Sequence, residues 1–239
     1  MQWPAGVCYT SRRRCRSSIH RWTIHGAWPD SRNSSAAPAF CCGPAFDAVS
    51  VRQHVPELQD KWATLFPGTN DQFWKHEWDK HGTCVVSPKL TGLVQYFNQT
   101  VRLYDQLHLK DWLEESGIIP LHEKNGRTYE TQLIHRALER HTNGKRIKLD
   151  CKRMGKSEDA VLIGLHVCYE PMSLEFADCG GKGDDKCGTH VRFIRPYSYV
   201  SKRVATFDKY ILPDRFEEPV DPSAWVTGAH FPETQTREG

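Results

Sequence analysis

Phe73-Trp74-Lys75-His76-Glu77-Trp78-Asp79-Lys80-His81-Gly82-Thr83-Cys84 is the stretch on which the reading of this chain turns. Glu77 and His81 are four apart, His76 and Lys80 are four apart, and Glu77 and Lys80 are three apart. On a helix these spacings put all four side chains on one broad face. Trp74 and Trp78, also four apart, lie beside that face, where they can anchor the helix in a core. Gly82 is placed to end the helix. Two imidazoles that titrate near neutrality can serve as acid and base, a lysine can hold an oxyanion, and a glutamate can orient a histidine or balance its charge. A surface helix with ordinary charge pairs accounts for Glu77 and Lys80, but not for two histidines flanked by tryptophans. A zinc-protease helix needs His-Glu-x-x-His, with its histidines four apart. Here His76 and His81 are five apart, which swings the second imidazole too far round the helix.

A second stretch, Trp22-Thr23-Ile24-His25-Gly26-Ala27-Trp28-Pro29-Asp30, begins with bulky β-favouring residues and then turns at Gly26, Pro29 and Asp30. His25 therefore stands at a strand end, from which a side chain can reach a cleft. Alone it reads as a structural histidine. Beside the helix above, it supplies the partner that a two-histidine mechanism requires.

In these two segments, Ile24–Asp30 and Phe73–Cys84, the chain resembles the ribonuclease T2 family of secreted or lysosomal acid endoribonucleases. Ala27 stands where leucine is common in the family. The resemblance runs from Met1 to about Pro196. It implies an antiparallel β-sheet packed against several helices, and cleavage of single-stranded RNA by its own 2′-hydroxyl through a 2′,3′-cyclic phosphate. Base specificity is expected to be low, and neither metal nor cofactor is expected. It further implies His81 as base, His25 as acid, Lys80 and His76 as phosphate ligands, and Glu77 as the group that orients or polarises them. Trp28 and Asp30 resemble the family's base-binding pair, and Trp74 is a further candidate substrate contact. A secreted RNA- or glycan-binding protein that keeps the fold without turnover is the alternative, and the presence of every expected catalytic residue type argues against it.

The chain has 239 residues, enough for one domain with a good core, or a domain plus a tail. A net charge of +3 excludes a strongly basic nucleic-acid coat, although twelve histidines would raise the charge at low pH. No apolar run approaches the ~20 residues of a membrane span, and no signal peptide is visible. Nine cysteines and the sequons at Asn33 and Asn98 nevertheless point to an oxidising, secretory route, either extracellular or lysosomal. Gln2-Trp3-Pro4 resembles the end of the family's first strand, so the start of the mature protein, with any signal before it, is expected to be missing. Nine is odd, which leaves at least one thiol outside an internal pair. Cys8 and Cys15 bracket a short loop they could close. The family pattern implies Cys8–Cys15, Cys41 or Cys42 with Cys84, Cys151–Cys187 and Cys168–Cys179, with Cys41 favoured for Cys84. A monomer is expected.

Along the chain, residues 1–24 read as strand, loop, strand, the loop carrying Arg12, Arg13, Arg14 and Arg16, which could attract phosphates. Asp47 and Pro56 are helix-start residues for a helix reaching Leu65, before Pro67-Gly68. Leu90, Leu93, Val94, Phe97, Val101 and Tyr104 give an amphipathic helix with Asn98 on its flank. Asp111 can cap a short helix to Glu115, and Thr128–His141 reads as another. Lys145–Cys151, Ala160–Tyr169 and His190–Arg195 are strand-like. Helices grouped before strands, with strands at both ends, predict a disulfide-stapled α+β domain over residues 1–196. Residues 197–239, with four prolines and scattered charges, read as an extension without an assigned role.

Overall fold

The computed structural model describes residues 1–16, 19–30, 37–155, 159–179 and 187–196. Its helices are α1 (Pro4–Thr10), α2 (Ala48–His54), α3 (Leu58–Lys61), α4 (Asn70–Lys80), α5 (Leu93–Asp105), α6 (Leu109–Glu114) and α7 (Thr131–Glu139). The strands are β1 (Tyr129–Glu130), β2 (Lys148–Lys152), β3 (Ala160–His166), β4 (Cys168–Tyr169), β5 (Phe176–Ala177) and β6 (His190–Arg192). A four-stranded sheet has the order β1-β6-β3-β2, and β4 and β5 form a separate hairpin. This is the expected α+β class. The sheet is antiparallel at β1–β6 and β2–β3, but β3 and β6 run parallel, a pairing no local pattern announces. No helix among the described residues is long and apolar enough to cross a membrane.

Helix α4 is the expected motif helix. It starts in a capping box: the Thr69 hydroxyl accepts from the Gln72 amide at 3.2 Å, and the Gln72 side chain accepts from the Thr69 amide at 3.0 Å. Two N-terminal amides that have no partner inside the helix are satisfied this way. At its other end the helix stops at Lys80, and His81 leaves helical geometry with φ −120° and ψ −48°. A short 3₁₀ turn, Gly82–Cys84, follows. A β-carbon at Gly82 would lie 2.3 Å from the Trp78 ring, so only glycine lets the chain turn this closely against the helix.

The other elements differ from the sequence reading at identifiable places. Residues 4–10 form α1 rather than part of a strand and loop. Pro4, with its fixed φ and missing amide, opens this helix at the one position where neither matters. The helix expected from Asp47 to Leu65 is two helices. Asp47 does cap the first, accepting from Val49 and Ser50. Pro56 then forces Val55 out of helical geometry, to φ −136° and ψ 65°. Asp111 lies inside the first turn of α6 and does not cap it. Residues 129–130 pair with β6 before α7 begins. Helix α5 starts only at Leu93, after Gly92 at φ +93°.

Two buried clusters carry the fold. One joins the sheet to α6 and α7 through Leu162, Leu165, Val191, Leu113, Ile134 and Leu138, closed by Trp3, Trp22 and Phe193. The other joins α4 to α2, α3 and α5 through Trp62, Trp74, Trp78, Tyr96 and Phe97. Full burial of one such side chain is worth about 1.5–3 kcal/mol.

Four disulfides staple this framework: Cys8–Cys15, Cys41–Cys84, Cys151–Cys187 and Cys168–Cys179. Cys42 is exposed and free. The Cys41–Cys84 bond closes a separation of 43 residues, linking the loop after the first motif to the end of α4. Opening a loop of that size is expected to cost about 2–4 kcal/mol in the variant Cys84→Ser. Cys42→Ser should stay within about 0.5 kcal/mol of the parent. Urea unfolding of both variants checks this, and equal losses would move the bond to Cys42.

Candidate active site

Buried aromatic side chains hold the first motif in place through its main chain. Trp62 Nε1 donates to the His25 carbonyl at 2.9 Å, and the Tyr96 hydroxyl donates to the Ala27 carbonyl at 2.9 Å. Both carbonyls flank Gly26. A β-carbon there would lie 2.2 Å from both Glu77 Oε2 and Trp28 Nε1, so glycine at this position lets the first motif press against the second.

Trp28 joins the two motifs. Its Nε1 donates to Glu77 Oε2 at 2.7 Å. Its ring lies 4.9 Å from that of His25, edge-on, and 5.3 Å from that of His81. The indole is 38 % exposed, whereas Glu77 is 3 % exposed. His25, Trp28, Glu77 and His81 are therefore brought together from two segments about fifty residues apart in sequence. Lys80 acts electrostatically on Glu77, His76 and His81. Among the described residues, His81 Nδ1 is buried without a hydrogen-bond partner, leaving Nε2 as the nitrogen that can serve the cleft. Asp30 is exposed, two positions beyond Trp28.

Trp74 is a correction. It is fully buried, its Nε1 donates to the Trp62 carbonyl at 2.8 Å, and it packs in the α4–α5 cluster. It cannot touch a substrate. The four-residue spacing from Trp78 already placed it on the core side of the helix. Asn33 lies outside the described residues. Asn98 is half-buried on α5, and the Thr100 hydroxyl of its sequon is buried and donates to the Tyr96 carbonyl at 2.7 Å. Of the arginine loop, Arg16 donates to the Gly68 carbonyl and the Arg13 guanidinium lies over Phe66.

One residue at this site was missed from sequence. His166, the last residue of β3, places its ring 5.4 Å from Trp28 and acts electrostatically on His25. It closes an apolar run 85 positions beyond His81, and nothing local marks it as part of the cleft.

Burial governs the charges here. It pushes His25 down to about 3, with His166, His81 and His76 adding to the effect. His81 is pushed down to about 4 by burial and then by Lys80 and His76. His76 is lowered by burial and Lys80. Glu77 moves the other way, up to about 7, because burial outweighs the indole hydrogen bond and Lys80. These surroundings favour neutral imidazoles and a carboxyl that stays protonated in mild acid.

Glu77 has a consequence for stability. Its folded pKa lies above its unfolded value, so the folded state binds the extra proton between about pH 4.5 and 7. Stability is therefore lost as pH rises through that window, by up to about 3 kcal/mol. Glu77→Gln removes the titration and keeps an acceptor for the indole. It should unfold at a higher temperature than the parent at pH 7.5 and at nearly the same temperature at pH 4. Calorimetry at the two pH values checks this, and an equal gain at both would contradict a buried, titrating carboxyl.

Among the described residues, no group of three or more His, Cys, Asp or Glu side chains is placed to hold a metal ion. Two imidazoles, a buried carboxyl and a lysine around one cleft are the parts of a general acid–base enzyme acting on an anionic substrate. The chain belongs to the ribonuclease T2 family, whose model matches residues 1–179. It is 30 % identical over 192 residues to ribonuclease DdI of Dictyostelium discoideum, covering 80 % of this chain and 81 % of that one. It is 33 % identical over 182 residues to a ribonuclease-like storage protein of Panax ginseng, covering 75 % of this chain and 72 % of that one. The solved structure of ribonuclease MC1 from bitter gourd seeds superposes with a TM-score of 0.69 at 29 % identity, covering 80 % of this chain and 96 % of that chain.

Proposed function

We propose that this T2-family endoribonuclease cuts single-stranded RNA by transesterification, with His81 and His25 as its base and acid. His81 Nε2 takes the proton of the ribose 2′-hydroxyl, and that oxygen attacks the adjacent phosphorus in line. The bond to the 5′-oxygen breaks, and His25 gives that oxygen a proton. The products are a 2′,3′-cyclic phosphate and a 5′-hydroxyl. Lys80 and His76 hold the phosphate, and protonated Glu77 can donate to a phosphoryl oxygen as its charge grows. The observation that carries this reading is the meeting of His25, Glu77 and His81 around Trp28.

The shifts fit these roles. Lys80 helps hold His81 neutral, the form a base needs. His25 must be protonated, and burial opposes that. A bound phosphodiester anion reverses the balance by favouring the imidazolium beside it. Trp28, with its exposed indole, offers a face on which a base of any identity can stack, worth about 1–3 kcal/mol. Asp30 offers a carboxylate for a base edge. The activity is assigned to residues 1–196, acting as a monomer in the extracellular space or a lysosomal lumen.

Because the imidazoles of the free enzyme are pushed down, the imidazolium that catalysis needs becomes populated only as pH falls. kcat/KM on single-stranded RNA is therefore expected to peak below pH 6.5, unaffected by a chelator. An optimum above pH 8 would contradict the acid role. A chelator-sensitive activity would favour a metallohydrolase, and binding without cleavage would leave a non-catalytic RNA-binding protein.

A further inference from the structure

His166 is placed at the cleft by the pairing of the chain's first residues. Gln2 bridges Thr23 on one side and Gly164 on the other, both antiparallel. Trp3 donates its amide to the Ile163 carbonyl at 2.7 Å, and the Leu165 amide donates to the Met1 carbonyl at 3.0 Å. Segments 22–25 and 160–166 therefore run parallel to each other, on either side of Met1–Trp3. Directly opposed residues point to the same face of a sheet, and so do residues two positions on. His25 is two beyond Thr23, and His166 is two beyond Gly164. Both histidines thus leave the same end and the same face of the layer. Their separation across two strand spacings is about 10 Å.

The end of β3 is held firmly. Cys168, two residues on, is bonded to Cys179, whose amide donates to the Arg146 carbonyl at 3.1 Å. Lys148, opposite His166 in the β2–β3 register, adds a cation to the same face. His166 is half-buried, and its ring reaches Trp28, whose indole is open to solvent. A separation of two strands is too wide for His166 to share in the proton transfers of His25, but one phosphate-to-phosphate step plus the hydrogen-bond reach of each imidazole spans it.

We infer that His166 is a substrate-binding residue that holds the phosphate next to the scissile one, setting a preference for oligonucleotides over dinucleotides. This rests on the ribonuclease reading above. The imidazole N–H donates to a phosphate oxygen, and Lys148 supports the negative charge from the neighbouring strand.

The test compares the full chain with His166→Ala and His166→Gln on two substrates. One is a dinucleoside monophosphate, which has only the scissile phosphate, and the other is a tetranucleotide of the same bases. His166→Ala is expected to raise KM for the tetranucleotide about tenfold at pH 5, while kcat on both substrates and KM for the dinucleoside stay within about twofold, the small change reflecting the lost electrostatic effect on His25. His166→Gln, which keeps an N–H donor, should recover most of the loss. Unchanged constants on both substrates, or an equal loss on both, would overturn the inference while leaving the ribonuclease reading intact. If the parent cut neither substrate, the ribonuclease reading itself would be overturned, and this inference with it.

Discussion

Replacing His81 or His25 by alanine should lower the rate of RNA cleavage by roughly a hundred- to ten-thousandfold, while RNA binding stays within a few-fold. That loss corresponds to about 3–5 kcal/mol of transition-state stabilisation. Both variants should fold, because the contacts that fix these positions are made by main-chain atoms. The Trp62 indole donates to the His25 carbonyl, and the His81 amide donates to the Glu77 carbonyl at 3.0 Å, whatever the side chain. Removing the His81 imidazole also takes away one of the groups that pull His25 down. The survivor cannot fill both roles at once, so the loss should appear in kcat rather than KM. A variant of either residue that kept more than a tenth of the parent rate, at equal thermal stability, would remove it from the mechanism.

The α4 segment was legible because its information is local. Spacings of three and four residues set the faces of a helix, and Gly82 marks its end, whereas the Thr69–Gln72 capping box at its start was found only in the structure. The resemblance of Ile24–Asp30 and Phe73–Cys84 to known active-site segments did the rest. Trp74 shows where local reasoning had to be followed through. Its spacing from Trp78 placed both rings on the apolar side of the helix, and the fully buried position follows from that. Helix α1 was not legible, since Trp3, Val7, Cys8 and Tyr9 favour strands by propensity and only Pro4 argues for a helix start. Packing against β3 decides the matter.

The sheet and His166 belong to a different category. The parallel pairing of β3 with β6, and the double bridge of Gln2 to Thr23 and Gly164, join residues that are far apart in the chain. Periodicity gives the faces of a strand but not its partner or register. His166 therefore looked like the polar end of an apolar run. Even its parity misleads: the register shift between Asp150–Gly164 and Cys151–Leu162 turns His166 to the face opposite Leu162, although the two are four apart in sequence. The Trp28–Glu77 hydrogen bond was likewise hidden, because it depends on Gly26 bringing two distant segments into contact.

The second large effect concerns the substrate. If the nucleophile is the ribose 2′-hydroxyl, no group on the enzyme can replace it. His81 has nothing to deprotonate at a deoxy position, and water has no assigned place in the first step. A single-stranded RNA with one deoxyribose should therefore resist cleavage at the linkage on the 3′ side of that sugar, by more than a thousandfold, while the neighbouring linkages are cut at their usual rates. Their first products should end in 2′,3′-cyclic phosphate. The measurement that decides the account is the cleavage pattern of that one oligonucleotide at pH 5, with chelator present. The account predicts a single gap at the deoxy linkage and cyclic termini at every other cut. Cleavage at the deoxy linkage at an undiminished rate would contradict it.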